Sequence, residues 1–288
     1  MKKELKFRVE AETALLEFLL TCLNNKSRNH VKGVLKRGQV TVDGSVCTSH
    51  SHTLKPGQCV AVLLENSRAK AKIPLPIIYE DDDIIVIDKP AGILSVSTEK
   101  GAEVTAFRII NDYMKNQRKH GRIFIVHRLD RDTSGVMLLA KSERIKLKLQ
   151  ENWASTAIGR EYIAVVEGRV QEPEGRITSW LRQTKTLLVY SSQTRDDGKL
   201  AVTNYRVIKT ADRYSLLKIS LETGRKNQIR VHMKDIGFPV AGDVKYGAST
   251  NPLGRLGLHA SALVVKHPAT DEEMRFESGA PESFMKLK

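Results

Sequence analysis

The fold reading turns on Val126-His127-Arg128-Leu129-Asp130-Arg131-Asp132-Thr133-Ser134-Gly135-Val136-Met137-Leu138-Leu139-Ala140-Lys141-Ser142. Its second half, Val136 to Ala140, is a short apolar run that reads as a buried strand. Its first half crowds His127, Arg128, Asp130, Arg131 and Asp132 together, and Thr133-Ser134-Gly135 makes a turn-type break between the halves. A charged loop that runs directly into a buried strand sets charged side chains at the mouth of a core. The competing reading is a polar turn in which Asp130 or Asp132 accepts hydrogen bonds from nearby backbone N–H groups, and composition alone favours it.

Around this stretch the chain is strongly basic. Its 288 residues carry a net charge of +14 with a pI near 9.7, which calls for a polyanionic partner, nucleic acid or an anionic membrane surface. No apolar run approaches the roughly 20 residues that span a bilayer, and Met1-Lys2-Lys3-Glu4-Leu5-Lys6 leads into no signal-like segment. The expected location is the cytoplasm. Cys22, Cys47 and Cys59 are widely spaced with no Cys-x-x-Cys pair, so neither a zinc site nor a disulfide framework is expected. The histidines form no His-Glu-x-x-His, and neither a P-loop nor Gly-x-Gly-x-x-Gly occurs. No metal and no cofactor are expected, and a monomer is the default.

The charge is uneven. Residues 1–72 hold thirteen Lys and Arg against six Asp and Glu, an excess of seven and half the net charge. Leu15, Leu16, Leu19, Leu20 and Leu23 recur at helical spacing there. Ser27 reads as the N-cap of a second helix, with Val31, Val34 and Leu35 on its apolar side. Arg28, Lys32, Lys36 and Arg37 lie across the remaining surface as candidate phosphate contacts. Gly38 to Gly44 predicts a strand ending in an Asp-Gly turn, and Val60 to Leu64 another strand. The expected organisation is a small basic α/β RNA-binding domain over 1–65, a linker over 66–73, and a large domain over 74–288. In the large domain, Ile77 to Tyr79 and Ile84 to Ile87 flank an acidic turn. Apolar strands follow at Tyr162 to Val166, Leu187 to Tyr190, Val202 to Ile208, Leu216 to Leu221 and Leu258 to Val265, with helices near 103–118 and 142–153. That pattern predicts an α+β domain on a mixed or mainly antiparallel sheet.

His127 to Gly135, followed by its apolar strand and Ala140-Lys141-Ser142, resembles the signature of the RluA-type RNA pseudouridine synthases. Tyr79-Glu80-Asp81, Lys89-Pro90-Ala91-Gly92, Arg160 to Gly168, Thr223 to His232 and Leu258 to Phe276 resemble the same family in its expected order. Three departures stand out: Ser95-Val96-Ser97 where His-Pro is common, Arg160 where Lys-x usually precedes the Tyr, and Asn227 where many members carry His. Ser27 to Val31, Arg37 to Gly44 and Leu54 to Gly57 resemble the small RNA-binding domain named after small-subunit ribosomal protein four. There Ala14-Leu15-Leu16 stands where Arg-Leu-Asp is common.

The resemblance implies isomerisation of uridine to pseudouridine in RNA. It implies Asp130 as the catalytic carboxylate, attacking the anomeric carbon or removing the sugar's 2′ proton. Arg230 is implied as its charge partner, which would counter the pKa rise that burial causes. Tyr162 is implied to stack on the uracil and to help remove the carbon-5 proton; taken alone it reads as a core aromatic of its strand. Arg128 is implied to fill the gap left by an extruded nucleotide, against the alternative of an ion pair with Asp130 or Asp132. Arg225 is the second choice for the charge partner of Asp130, or else an RNA contact, and Lys89 and Lys245 are candidate phosphate contacts. His232, His259 and His267 are expected to be structural or RNA-contacting. Members with this N-terminal module resemble the large-ribosomal-subunit enzymes, so ribosomal RNA is the expected target, with tRNA the other possibility. A glycosidase fits poorly, since it wants two acids about 5 to 9.5 Å apart. The remaining alternative is a non-catalytic RNA-binding or ribosome-assembly protein, which gives Asp130, Tyr162 and Arg230 no reason to occur together.

Overall fold

A computed structural model of the chain describes residues 3–23, 27–36, 38–64, 75–97, 104–116, 122–151, 153–192, 194–195 and 198–286. The chain divides into two compact units, Met1–Ile73 and Pro74–Lys288. Arg37 and the expected linker 66–73 lie outside the described residues. Among the described residues no helix is long and apolar enough to cross a membrane.

The first unit consists of β1 (Lys3–Arg8), β2 (Thr13–Ala14), α1 (Leu15–Cys22), α2 (Arg28–Lys36), β3 (Val40–Val42), β4 (Ser45–Val46), β5 (Thr53–Leu54) and β6 (Cys59–Leu64). The leucine spacing gives α1 one apolar face, and Leu15, Leu16, Leu19 and Leu23 bury it against Val31, Val34 and Leu35 of α2 and Val40, Val60 and Val62 of the sheet. Ser27 caps α2: its Oγ accepts the His30 N–H at 3.3 Å and its carbonyl the Val31 N–H at 3.1 Å. Asp43 and Gly44, both at positive φ (48° and 82°), turn β3 into β4. The sheet order is β1-β6-β3-β4. Strand β1 was not expected from the sequence. Its signal is the alternation of Leu5 and Phe7 with charged residues, and it pairs along β6 from Lys3↔Leu64 to Arg8↔Cys59.

The second unit consists of β7 (Ile77–Glu80), β8 (Ile84–Lys89), α3 (Ala106–Asn116), β9 (Phe124–Ile125), β10 (Ser134–Ala140), α4 (Glu143–Glu151), α5 (Trp153–Thr156), β11 (Gly159–Glu167), β12 (Glu174–Gln183), β13 (Val189–Ser192), β14 (Lys199–Thr210), β15 (Tyr214–Leu221), α6 (Gln228–Asp235), a 3-10 turn (Val244–Tyr246), β16 (Leu258–Lys266), β17 (Glu273–Glu277) and α7 (Glu282–Met285). Among the described residues its eleven strands form one sheet, ordered β13-β12-β14-β15-β11-β16-β10-β8-β7, with β17 on β16 and β9 on β10. The fold is the expected α+β type on a mostly antiparallel sheet.

The central strand β10 is buried along its whole length, which explains its unbroken apolar run. Its pairing with β16 is parallel, Ser134↔His259 and Gly135↔Ala260. That seam requires glycine: Gly135 sits at φ 111°, and a Cβ there would lie 2.1 Å from the Ala260 carbonyl oxygen. Ala260 also faces Tyr162 on β11, immediately after an irregularity in the β11–β16 register between Glu161 and Tyr162. A bulge at this point re-aims the side chains that follow it.

Two expectations shift. Leu187, expected within a strand, lies in a turn at φ 64°, where the Thr184 N–H meets the Leu188 carbonyl at 2.8 Å; the strand begins at Val189. Strand β12 escaped the sequence reading because its inward positions include Ser179, which sits against the buried His232 at 2.9 Å, so the apolar alternation is broken.

Candidate active site

Asp130 lies in the loop between β9 and β10, and side chains from the end of β8 and the segment after it fix the residues on either side of it. Ser95 Oγ donates to the Leu129 carbonyl at 2.7 Å and accepts the Leu129 N–H at 3.0 Å, all within the core. Lys89, fully buried, donates to the carbonyls of Pro90 (2.9 Å), Ile93 (2.8 Å) and Arg131 (3.0 Å). Burial pulls the Lys89 ammonium down to about 8, with Asp132 and Asp130 opposing. Lys89 is therefore no phosphate contact: its charge is spent on carbonyls that hold the loop. Downstream, Arg255 donates to Ser134 Oγ at 2.7 Å and to the Asp132 carbonyl at 3.4 Å. Ser134 in turn meets His259 Nδ1 at 2.8 Å, and His259 Nε2 reaches the Ser278 carbonyl at 3.0 Å.

The Asp130 carboxylate faces the start of α6. Arg230, in the first turn of that helix, forms a bidentate pair with the buried Asp243, Nε to Oδ2 at 2.6 Å and Nη2 to Oδ1 at 2.7 Å. Its remaining Nη1 reaches Asp130 Oδ2 at 3.3 Å. Burial opposes the Arg230 charge, but the Asp243 pair and then Asp130 outweigh it and raise its pKa. Asn227 sits at φ 54° just before α6; one carboxamide orientation accepts from Arg230 Nη1 at 3.4 Å but turns its oxygen onto the Asp130 carboxylate, and the other gives up that bond to satisfy Asp130 and Tyr246. In that orientation its nitrogen donates to Asp130 Oδ2 at 2.7 Å and Oδ1 at 3.2 Å, and its oxygen accepts from the Tyr246 hydroxyl at 2.9 Å. The Tyr246 ring lies beneath the Arg230 guanidinium, 4.9 Å from carbon to centroid.

Asp130, Tyr162 and Arg230 line one cavity of about 270 Å³, together with Arg128, Arg225 and Asn227. Burial pushes the Tyr162 phenol up to about 12, with Arg160 opposing and Asp130 adding, so the hydroxyl is neutral at physiological pH. Arg128 is exposed and, among the described residues, forms no ion pair with Asp130 or Asp132. Arg225 is exposed as well, with Nε donating to the Leu200 carbonyl at 2.9 Å. Lys245 is exposed beside Tyr246, its Nζ 6.0 Å from the ring centroid.

The three motif histidines are held inside the protein. His232 Nε2 meets Ser179 and its Nδ1 meets Thr203 at 2.8 Å, His259 belongs to the Ser134 chain, and His267 Nε2 meets Asp81 at 2.9 Å. In the first unit, Arg28 and Lys32 are exposed on α2, and Arg28 donates to Glu17 at 2.9 Å. Lys36 closes the same helix.

Sequence reasoning missed Asn227, Asp243, Tyr246 and Ser95 as parts of this site. The available signals were two departures from the family pattern, at Asn227 and Ser95. Asp243 and Tyr246 carried none, because a turn between α6 and β16 supplies them.

Comparison with known proteins identifies the family. The family model described as RNA pseudouridylate synthase matches residues 83–235. The chain is 36% identical to an uncharacterized RNA pseudouridine synthase, YlyB, of Bacillus subtilis (strain 168), over 94% of this chain and 91% of that protein. It is 35% identical to the ribosomal large subunit pseudouridine synthase D of Vibrio vulnificus, over 91% of this chain and 85% of that protein. Among solved structures, the human RNA pseudouridylate synthase domain containing 4 superposes with a TM-score of 0.60 at 23% identity, covering 73% of this chain and 90% of that one, a likeness of fold.

Proposed function

The chain belongs to the RNA pseudouridylate synthase family and isomerises uridine to pseudouridine in RNA; from that premise we propose that Asp130 is the catalytic carboxylate and that large-subunit ribosomal RNA is the target. The observation that carries the site reading is the Arg230–Asp130 contact of 3.3 Å at a cavity that Tyr162 also lines. Asp130 opens the reaction by attacking the anomeric carbon or by taking the 2′ proton, and the uracil leaves through its ring nitrogen. After the base turns, carbon-5 joins the anomeric carbon as the Asp130 ester breaks or the 2′ proton is returned, and the carbon-5 proton must depart. Tyr162 stacks on the base and relays that proton toward the ring nitrogen that the sugar left: a phenol held neutral up to about pH 12 accepts one proton only as it gives up its own. Arg230, anchored on Asp243, sets a positive charge beside the Asp130 carboxylate.

Arg128, exposed at the cavity mouth, takes the place of the extruded nucleotide, and Arg225 contacts the flanking phosphates. The first unit is an RNA-binding domain of the kind found in small-subunit ribosomal protein four, contacting phosphates through Arg28, Lys32, Lys36 and Arg37. The ribosomal target is supported by relatives named as large-subunit synthases. A ribosomal RNA target puts the enzyme's work in the cytoplasm.

Mapping pseudouridines as carbodiimide-dependent reverse-transcription stops tests both halves. Stops lost from large-subunit RNA without the gene should return with wild type and not with Asp130→Asn, whose fold and RNA affinity stay unchanged. Turnover by Asp130→Asn at the wild-type rate would refute the site. Loss of stops from tRNA alone would refute the target.

A further inference from the structure

Resting on the reading of Asp130 as the catalytic carboxylate, we infer that Asn227 is a positioning residue for the isomerisation, aligning Asp130 through its carboxamide. By distance it is the closer of the two donors. In the orientation that turns a donor to the carboxylate its nitrogen stands 2.7 Å from Asp130 Oδ2, whereas Arg230 Nη1 stands 3.3 Å away because its other nitrogens are committed to Asp243. Arg230 supplies the charge and Asn227 the tighter directional bond.

The backbone is arranged for this task. Asn227 is buried and sits at φ 54° and ψ 19°, a left-handed conformation that Asn tolerates better than most residues. Its side chain is oriented from behind by Tyr246, itself buried, whose hydroxyl donates to the Asn227 oxygen at 2.9 Å and accepts the Val189 N–H at 3.3 Å. The same Tyr246 ring carries the Arg230 guanidinium, so one aromatic supports both donors to Asp130.

The contacts also distinguish the two carboxylate oxygens. Oδ2 takes the short Asn227 bond and the Arg230 bond, while Oδ1 takes only the 3.2 Å Asn227 contact. Oδ1 is thus the less engaged oxygen and the one that acts on the sugar. A carboxamide donates at any working pH, whereas an imidazole in its place would change charge near neutrality.

Two variants test the role in the full-length enzyme under steady-state kinetics with an RNA substrate. Asn227→Gly keeps the left-handed backbone and removes the carboxamide; kcat should fall about 10- to 100-fold, with KM changed by less than about twofold. Asn227→Asp keeps the shape and sets a second carboxylate against the first, so the pair holds a proton and the acid limb of kcat moves up by about one pH unit or more. Wild-type kcat in Asn227→Gly, or a wild-type pH profile in Asn227→Asp, overturns the inference. Should Asn227→Gly fail to fold, the pH profile of Asn227→Asp decides alone. Turnover by Asp130→Asn would instead remove the reading beneath it, so the two failures are told apart.

Discussion

Replacing Ser95 by alanine isolates the restraint on the residue that precedes Asp130. The Ser95 hydroxyl satisfies both backbone groups of Leu129, at 2.7 and 3.0 Å, with Ser95 3% exposed and Leu129 6% exposed. Ser95→Ala leaves a buried carbonyl and a buried N–H without their partner. Each such group costs about 1–3 kcal/mol, and relief from burying the hydroxyl offsets roughly 1 kcal/mol, for a net loss of about 1–5 kcal/mol. In a unit of this size about 1 kcal/mol moves Tm by roughly 2–4 °C, so calorimetry should show the transition of the second unit lowered by roughly 2–20 °C. The same change frees the peptide that carries Asp130, and a displacement of a fraction of an ångström from the reacting geometry costs roughly tenfold in rate. RNA affinity, which rests on surface cations, should stay unchanged. A variant whose Tm and kcat both match wild type would refute the claim that this hydroxyl holds the loop.

Two further predictions concern pH and salt. Burial, with Arg160 adding, holds the His127 pKa down at about 4, and the neutral ring accepts the Leu138 N–H at 3.0 Å. Because the folded value is depressed, the His127 contribution to stability is complete above the ordinary value of 6.5 and is lost as pH falls toward about 4, where the unfolded chain binds the proton first. His127→Gln, which keeps an acceptor and cannot titrate, should flatten the fall of Tm across that window, and an unaltered curve would count against the assignment. On the first unit, the double variant Arg28→Gln/Lys32→Gln should weaken RNA binding and reduce the slope of log Kd against log salt by about 1–2, with kcat at saturation unchanged. An unchanged slope would mean that α2 does not meet phosphate.

What the sequence disclosed is what local pattern encodes. The run Val136 to Ala140 announces a buried strand by itself, the leucine spacing announces α1, and Ser27 and Asp43-Gly44 announce a cap and a turn through their own chemistry. Asp130, Tyr162 and Arg230 were each legible inside a contiguous motif, although 100 positions separate the first from the last. The rest depends on tertiary placement. A lysine in Lys89-Pro90 looks like a surface cation until the carbonyls of Ile93 and Arg131 close around it. Asn227 looks like a lost histidine until its left-handed backbone aims the carboxamide at Asp130. Strand β12 hides because a polar Ser179 occupies an inward position to satisfy His232.

The network around Asp130 also bears on which parts move during the reaction. Leu129 is bound by Ser95, Arg131 by Lys89, Asp132 and Ser134 by Arg255, and the carboxylate itself by Asn227 and Arg230. Those five side chains come from the end of β8 and the loop after it, the start of α6 and the segment before β16, so shifting the Asp130 loop would break bonds to several elements at once. Releasing even two of the bonds formed inside the core would cost several kcal/mol, comparable to a sizeable part of the stability of a domain. On the proposed mechanism the uracil has to detach, turn and reattach while its sugar stays engaged. The mobility that this requires therefore belongs to the base in its cavity and to the exposed Arg128 that lines it, whereas Asp130 serves as the fixed point about which the base turns.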